Sequence, residues 1–372
     1  MGDHDQDRLA ALVAQALGEA VLSLALVRGG GNNRIYRAEL SHGPVAVKAY
    51  HPTADGSHLQ RLQRETGSLR WLQACGVADI PRVHAADADQ AFAVFDWIEG
   101  GPLPLPIPPA DRAAAIGALN RFLDALHEAA PRPGEDLWPA QEACLSTAEL
   151  LRQIEMRVTR LQGIEDDTLR RFLAERLVPV LEQARRRAVA LQEGSAIAWD
   201  QEIPPATRDF SPSDFGYHNA LRGADGRVRF VDFEYAGWDD AVKLTSDFLW
   251  HPAMQLSTEE SAAYLGAASR RYRDVPGFDV RLAAQHPLYG LRWCLILLNE
   301  FLPERWQKRL FAAGGRLAES DWDAAKARQL DRARAYLQAA SRMVDTPARH
   351  EPGIAGIPLP DLAAALMDSP NG

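Results

Sequence analysis

The rhythm of apolar and polar positions changes near Glu99. Before it the pattern is largely strand-like. Val21 to Val27 reads as a strand running into Gly29-Gly30-Gly31-Asn32-Asn33. Arg34 to Leu40 reads as a second strand, ending at the turn Ser41-His42-Gly43-Pro44, and Val45-Ala46-Val47-Lys48 as a third with period-two alternation. A helix is predicted over His58 to Ala74, and two more strands, Arg82 to Ala86 and Ala91 to Trp97, bracket Asp87-Ala88-Asp89-Gln90. The Gly- and Pro-rich stretch Glu99 to Pro109 reads as a linker. Beyond it apolar residues recur at helical spacing. Ile116, Leu119, Phe122, Leu123 and Leu126 mark a helix over Asp111 to Ala129, and Leu- and Arg-rich segments mark two more at Thr147 to Leu161 and Asp167 to Leu191. Further helices are expected over Thr258 to Arg273, Arg281 to Leu302 and Asp321 to Met343, and the Pro and Gly residues after Asp345 predict a loose tail.

This pattern predicts an α+β protein in two lobes around a cleft. Residues 1–98 form a small β-rich N-terminal lobe with one main helix, 99–109 a linker, 110–345 a large, mostly helical C-terminal lobe, and 346–372 a tail. A chain of 372 residues is long enough for this, and its 47% hydrophobic and 24% charged content is that of an ordinary globular protein. No apolar run approaches the ~20 residues of a membrane span. The acidic start Met1-Gly2-Asp3-His4-Asp5-Gln6-Asp7 resembles neither a signal nor a transit peptide. Cys75, Cys144 and Cys294 are scattered, which predicts reduced thiols in a cytoplasmic protein. A formal charge of −9 argues against nucleic acid as a partner.

The most informative chemistry lies in Ser213-Asp214-Phe215-Gly216-Tyr217-His218-Asn219 and Val231-Asp232-Phe233. The residues between read as strand, turn and strand, with Asp225-Gly226 supplying the turn. A hairpin folds back on itself, so Asn219 and Asp232 are expected side by side. Two adjacent oxygen ligands with a third carboxylate a short loop away suit Mg²⁺ and a hydroxyl awaiting activation. Asp214 and Asn219 also have the Asp-x-x-x-x-Asn spacing of a kinase catalytic loop. In that arrangement Asp214 faces the hydroxyl, and Asn219 and Asp232 hold metal on the phosphates. The plainer alternative is that Asp214 caps a turn and Asp232 ends a strand.

Two upstream features bear on phosphate binding. The glycine run sits between two predicted strands, which excludes a Rossmann fingerprint or a Walker loop, since both need a following helix. It is either a plain hairpin turn or a glycine-rich cover for a triphosphate. Glu65 falls on the apolar stripe of its helix, with Leu59, Leu62, Leu69 and Leu72. A carboxylate there needs a partner, and Lys48 is the nearest upstream cation; a lysine–glutamate pair is how kinases position the lysine. The alternatives are an edge lysine and a glutamate reaching water.

Gly30, Lys48, Glu65, Asp214, Asn219, Asp232 and Asp247, in this order, resemble the aminoglycoside phosphotransferase family, the kinase-like group that includes antibiotic, choline, sugar and homoserine kinases. The resemblance covers Leu26 to Leu249. It implies a bilobal protein-kinase-like fold and transfer of a phosphoryl group from ATP, with Mg²⁺, to a hydroxyl of a small molecule such as a sugar, amino sugar, aminoglycoside or amino alcohol. It implies that Gly29, Gly30, Gly31, Asn32, Lys48 and Glu65 serve the nucleotide, that the backbone of Asp96, Trp97 and Ile98 contacts adenine, that Asp214 is the base, and that Asn219 and Asp232 hold the metal. The C-terminal helices would form the acceptor pocket. The chain departs from the family at Pro212, where a histidine usually precedes the catalytic aspartate by two residues. The competing class is a nucleotide-binding pseudokinase that senses or scaffolds; a helical interaction protein explains least.

Other residues carry expectations of their own. Asp247 is either a helix N-terminal residue or an acceptor for the catalytic loop's backbone. His218 is expected to be structural and His127 to be a packed core histidine. From His251 to His350 there are fifteen Lys plus Arg against eleven Asp plus Glu, a mild excess that speaks against a polycationic acceptor. Asp239, Asp240, Trp293, Glu300 and Trp306 are candidates to line the acceptor pocket.

Overall fold

The computed structural model describes residues 3–29, 33–129, 138–312 and 318–345. A five-stranded antiparallel sheet is built from β1 (Ser23–Gly29), β2 (Asn33–Leu40), β3 (Gly43–Tyr50), β4 (Val83–Asp87) and β5 (Phe92–Asp96), in the order β1-β2-β3-β5-β4. Period-two alternation divides β3 between two cores. Val45 and Val47 join Tyr36, Ala38, Phe92 and Val94 on one face. Tyr50, with Ala93 and Phe95, joins Leu62, Leu69 and Leu72 of helix α2 (Ser57–Ala74) on the other. Lys48 shares the α2 face, so the same alternation that makes the strand aims the lysine at the helix.

The first face is covered by an element that the sequence pattern did not suggest. Helix α1 (Asp3–Leu17) begins in the polar, acidic terminus and buries only Leu9 and Val13, one turn apart, against the sheet.

The stretch read as a linker is paired to the second half. Within it β6 (Gly100–Pro102) forms a small sheet with β8 (Ala220–Gly223) and β9 (Val228–Phe230). The helical part begins with α3 (Arg112–Ala129), α4 (Thr147–Gln162), α5 (Asp167–Phe172) and α6 (Val178–Gln192). The last two, expected as one helix, are joined through a π-helical turn at Leu173–Leu177. The strands β7 (Asp209–Ser211) and β10 (Gly237–Asp239) pair with each other. They lead into α7 (Ala241–Trp250), α8 (Thr258–Arg271), α9 (Phe278–Leu297), α10 (Pro303–Ala312) and α11 (Glu319–Asp345). The pattern showed neither α7 nor α10. Every residue of α7 is buried, and its polar stripe of Lys243, Ser246 and Asp247 meets buried partners instead of water. Among the described residues no helix is long and apolar enough to cross a membrane, and all three cysteines are free.

Helix α9 lies against α4, α6, α7 and α11 at the centre of this half. Its closest contact with α7 is at Gly290, where an added Cβ would stand 2.5 Å from the ring of the fully buried Trp250. The Trp250 indole is held in place by donating to the His286 carbonyl at 3.0 Å. Gly290→Ala is therefore expected to lower stability by about 1–3 kcal/mol through overpacking, measured by urea denaturation.

Candidate active site

Lys48 has three carboxylate neighbours. Its ammonium lies 2.7 Å from Glu65, 2.6 Å from Asp232 and 3.2 Å from Glu234. Glu65, buried on the α2 stripe, also accepts from the Tyr50 hydroxyl at 2.5 Å. Glu234 accepts from Asn33 Nδ2 at 2.7 Å and lies 3.4 Å from the guanidinium of Arg61. Burial works against the charge on Lys48, yet Asp232 and Glu65 overcome it and hold its pKa well above the ordinary lysine range. Burial also raises Glu65 despite the lysine beside it. Glu234 is held low: Lys48 and Arg61 outweigh its burial. The sequence reading found Lys48, Glu65 and Asp232 and missed Glu234, although Phe233-Glu234-Tyr235 carries the same signal as Asp232, an acid between apolar residues.

The hairpin expected between Asn219 and Asp232 is present. Ala220 pairs with Phe230 across β8 and β9, and the Val231 amide donates to the Asn219 carbonyl at 2.9 Å. This places Asn219 beside the residue that precedes Asp232. The next backbone step is left-handed, with φ of 69° at Asp232, a conformation costly for a residue with a Cβ. That turn carries the Asp232 carboxylate to Lys48 on the opposite sheet.

Asp214 sits on a loop with its own strained step, Ser213 at φ 68°. The Asp214 amide donates to the Pro212 carbonyl at 3.0 Å, and Asn219 Nδ2 donates to the Asp214 carbonyl at 2.9 Å. The Asp214 carboxylate lies 3.0 Å from His218 Nε2. Burial would raise its pKa; the hydrogen bond from His218 and the charge of His218 lead the effects that outweigh it and hold the carboxyl below the usual range. At Gly216 the backbone packs closely, an added Cβ standing 2.5 Å from the end of the Met254 side chain and 3.0 Å from His218.

A buried charge network lies beneath the loop. Lys243 is within 3.1 Å of Asp239 and 3.4 Å of Asp247, and its ammonium stands 3.5 Å from Ser213 Oγ. Both expectations for Asp247 are overturned. It lies in the second half of α7, where Asp240 is the N-cap, and its partners are Arg292, Lys243 and the Trp293 indole rather than the loop backbone. Asp239 and Asp240 are fully buried, paired to Lys243 and Arg281, and so cannot line a pocket. Trp306 is stacked on Trp322, whereas Trp293 stands edge-on to His251 near Asp214. His127 is half-buried rather than packed in the core, and its hydrogen bond to Asp209 raises its pKa.

Asp96, Trp97 and Ile98 lie at the end of β5, just before the β6 pairing. Gly29 ends β1, while Gly30, Gly31 and Asn32 lie outside the described residues. The Asp96 carboxylate takes His84 at 2.8 Å, and its amide donates to the Arg82 carbonyl. Trp97 lies under the Arg37 guanidinium, 5.2 Å from ring centroid to carbon, and Ile98 is half-buried just before the β6 pairing.

A twisted sheet whose lysine–glutamate pair faces an aspartate loop and hairpin on a helical second half defines a protein-kinase-like fold. The chain belongs to the phosphotransferase enzyme family, whose sequence model matches residues 23–285. Solved structures share the architecture at low identity. Choline kinase LicA from Streptococcus pneumoniae aligns with a TM-score of 0.56 at 15% identity, over 90% of this chain and 99% of that one. A choline/ethanolamine kinase family protein from Mesorhizobium loti aligns at 0.55 and 16%, over 92% and 98%. A thermostable variant of aminoglycoside phosphotransferase APH(4)-Ia in ternary complex with ADP and hygromycin B aligns at 0.52 and 17%, over 91% and 99%. No curated protein matches the chain in sequence.

Removing the ammonium strands three carboxylates. Lys48→Met is expected to lower stability by about 3 kcal/mol at neutral pH. The deficit should shrink as the pH falls and the freed carboxylates take up protons, measured by denaturant titration across pH.

Proposed function

We propose that the protein is a small-molecule kinase that moves the terminal phosphoryl group of ATP, with Mg²⁺, to a hydroxyl of an acceptor such as a sugar, amino sugar, aminoglycoside or amino alcohol. One observation carries this reading: an unbroken series of contacts runs from Lys48 to Asp232, through the Val231–Asn219 pairing, to the backbone of Asp214. The groups that would hold phosphates, metal and acceptor thus occupy one contiguous region, each on a different element.

The donor set suits Mg²⁺. Oxygens of Glu65, Asp232 and Glu234 lie within 4.8 Å of one another. Among the described residues their three negative charges face Lys48 and Arg61, two positive charges for three negative ones. Asn219 commits its Nδ2 to the loop, so Oδ1 is the atom it offers to a cation. Bound there by Asp232 and Asn219, Mg²⁺ would neutralise charge on the phosphate oxygens. Lys48, aimed by Glu65, holds the phosphates. Asn33 ties the far end of the glycine-rich turn to Glu234, which supports a role for Gly29, Gly30, Gly31 and Asn32 over the nucleotide. Because the Asp96 amide is engaged by Arg82, donation to adenine falls to Trp97 and Ile98.

Asp214 orients the acceptor hydroxyl and takes its proton as the new oxygen–phosphorus bond forms. A carboxylate held below its usual pKa is a weak base, which suits a loose transition state in which the proton moves late. Catalysis then rests on positioning and charge.

Asp214→Asn is expected to reduce phosphoryl transfer by about 10²–10⁴-fold while leaving the thermal shift caused by Mg·ATP intact. The measurement is ATP-dependent mass gain over a panel of sugars, amino sugars, amino alcohols and nucleosides. Unchanged turnover in the variant would overturn the base assignment, and a wild-type protein with no Mg·ATP thermal shift would overturn the nucleotide assignment.

A further inference from the structure

Two imidazoles from separate elements converge on one oxygen of Asp214. His218 Nε2 lies 3.0 Å from Oδ1, and His251 Nε2 lies 3.7 Å from the same atom. The rings are stacked flat, with centroids 4.2 Å and planes 2° apart. His218 belongs to the catalytic loop, whereas His251 is the C-cap of α7. Behind His251 stands Trp293, edge-on at 4.7 Å, fixed by the bond from its indole to Asp247 at 2.8 Å.

The proton on His251 is placed by its other nitrogen. The Ala253 amide donates to Nδ1 at 3.1 Å, so Nδ1 carries a lone pair and the neutral ring carries its hydrogen on Nε2, facing Asp214. Burial first, and then the charge of His218, push its pKa down to about 4, which keeps this ring a neutral donor at neutral pH. Asp214, His218 and His251 also lie close enough together to suggest a metal site. The Ala253 bond argues against it, because a neutral histidine that ligates through Nε2 must carry its proton on Nδ1.

We propose that His251, with His218 stacked upon it, is a positioning residue that fixes the Asp214 carboxylate by Oδ1 and supplies the support missing at Pro212. This rests on the reading of Asp214 as the group that meets the acceptor hydroxyl. With Oδ1 hydrogen-bonded to His218 and facing His251 Nε2 at 3.7 Å, the carboxylate has one preferred rotation on a loop that is otherwise held through its backbone. The Asp247–Trp293–His251 contacts extend that restraint to α7 and α9, which explains why Asp247 serves this region without touching the loop.

The test uses two variants of the full chain. His251→Phe keeps an aromatic ring in the stack and removes both nitrogens; His251→Gln keeps an N–H near the place of Nε2. If His251 positions Asp214, His251→Phe lowers kcat about tenfold or more with KM for Mg·ATP unchanged, and His251→Gln recovers much of the loss. A purely structural role reverses the order, with Phe close to wild type and Gln impaired, and would overturn the proposal. Nitrogen-detected NMR of the wild-type protein supplies a second readout that needs no turnover: the expected signature of His251 is a protonated Nε2 and a bare Nδ1, and the opposite tautomer sinks the idea. A protein that phosphorylates no acceptor yet shows the expected tautomer would refute the kinase reading alone.

Discussion

The structure depends on one crowded charge balance, a single buried ammonium shared by three carboxylates. Lys48 comes from a strand, Glu65 from the helix behind it, and Asp232 and Glu234 from the second half of the chain. An unpaired charge at this depth costs several kcal/mol, so each partner constrains the others. The sheet must present Lys48 on its α2 face, and the hairpin must end within reach of it. The left-handed step at Asp232 is tolerated because the contact it permits is worth more than the strain. The cluster thus ties the sheet, the helix behind it and the second half of the chain to one point.

Much of this was legible in the sequence, for identifiable reasons. Glu65 announced itself by standing on an apolar stripe, and the hairpin by Asp225-Gly226 between short apolar runs. Both signals are local, and local signals survive without knowledge of the fold. What escaped notice is set by tertiary contact. Helix α7 is ten residues long and buried on every side, and its polar stripe, Lys243, Ser246 and Asp247, is matched by charges and polar groups on other elements. Helix α1 buries only Leu9 and Val13 at its core, too little to stand out in a polar terminus. The Asp239 and Asp240 carboxylates looked like pocket residues because acids are usually exposed; Lys243 neutralises Asp239 from the first turns of α7, a helix the pattern did not show, and Arg281 reaches Asp240 from the distant α9. His251 carried no motif at all, and only the stacking on His218 gives it meaning.

The proline at position 212 sits in a loop that is supported by contacts from several other residues. Proline removes an amide donor and fixes φ. The loop is held by its own turn, by Asn219, and by Lys243 near Ser213. Those contacts come from the backbone and from α7.

The hairpin that carries Asn219 has a mechanical consequence. It is bonded to both halves of the chain: β6 pairs with β8, the Ala224 amide donates to the Glu99 carbonyl, and the Phe230 amide donates to the Asp79 carbonyl at 2.8 Å, in the turn between α2 and β4. The connecting segment is zipped down from Glu99 onward, which leaves Trp97 and Ile98 as the only span between the sheet and that zipper. Swinging the halves apart about this short pivot would pull on the Asp79–Phe230 bond. The hairpin thus acts as a rivet through the joint and sets the gap between the lysine and the aspartate loop to a nearly fixed width.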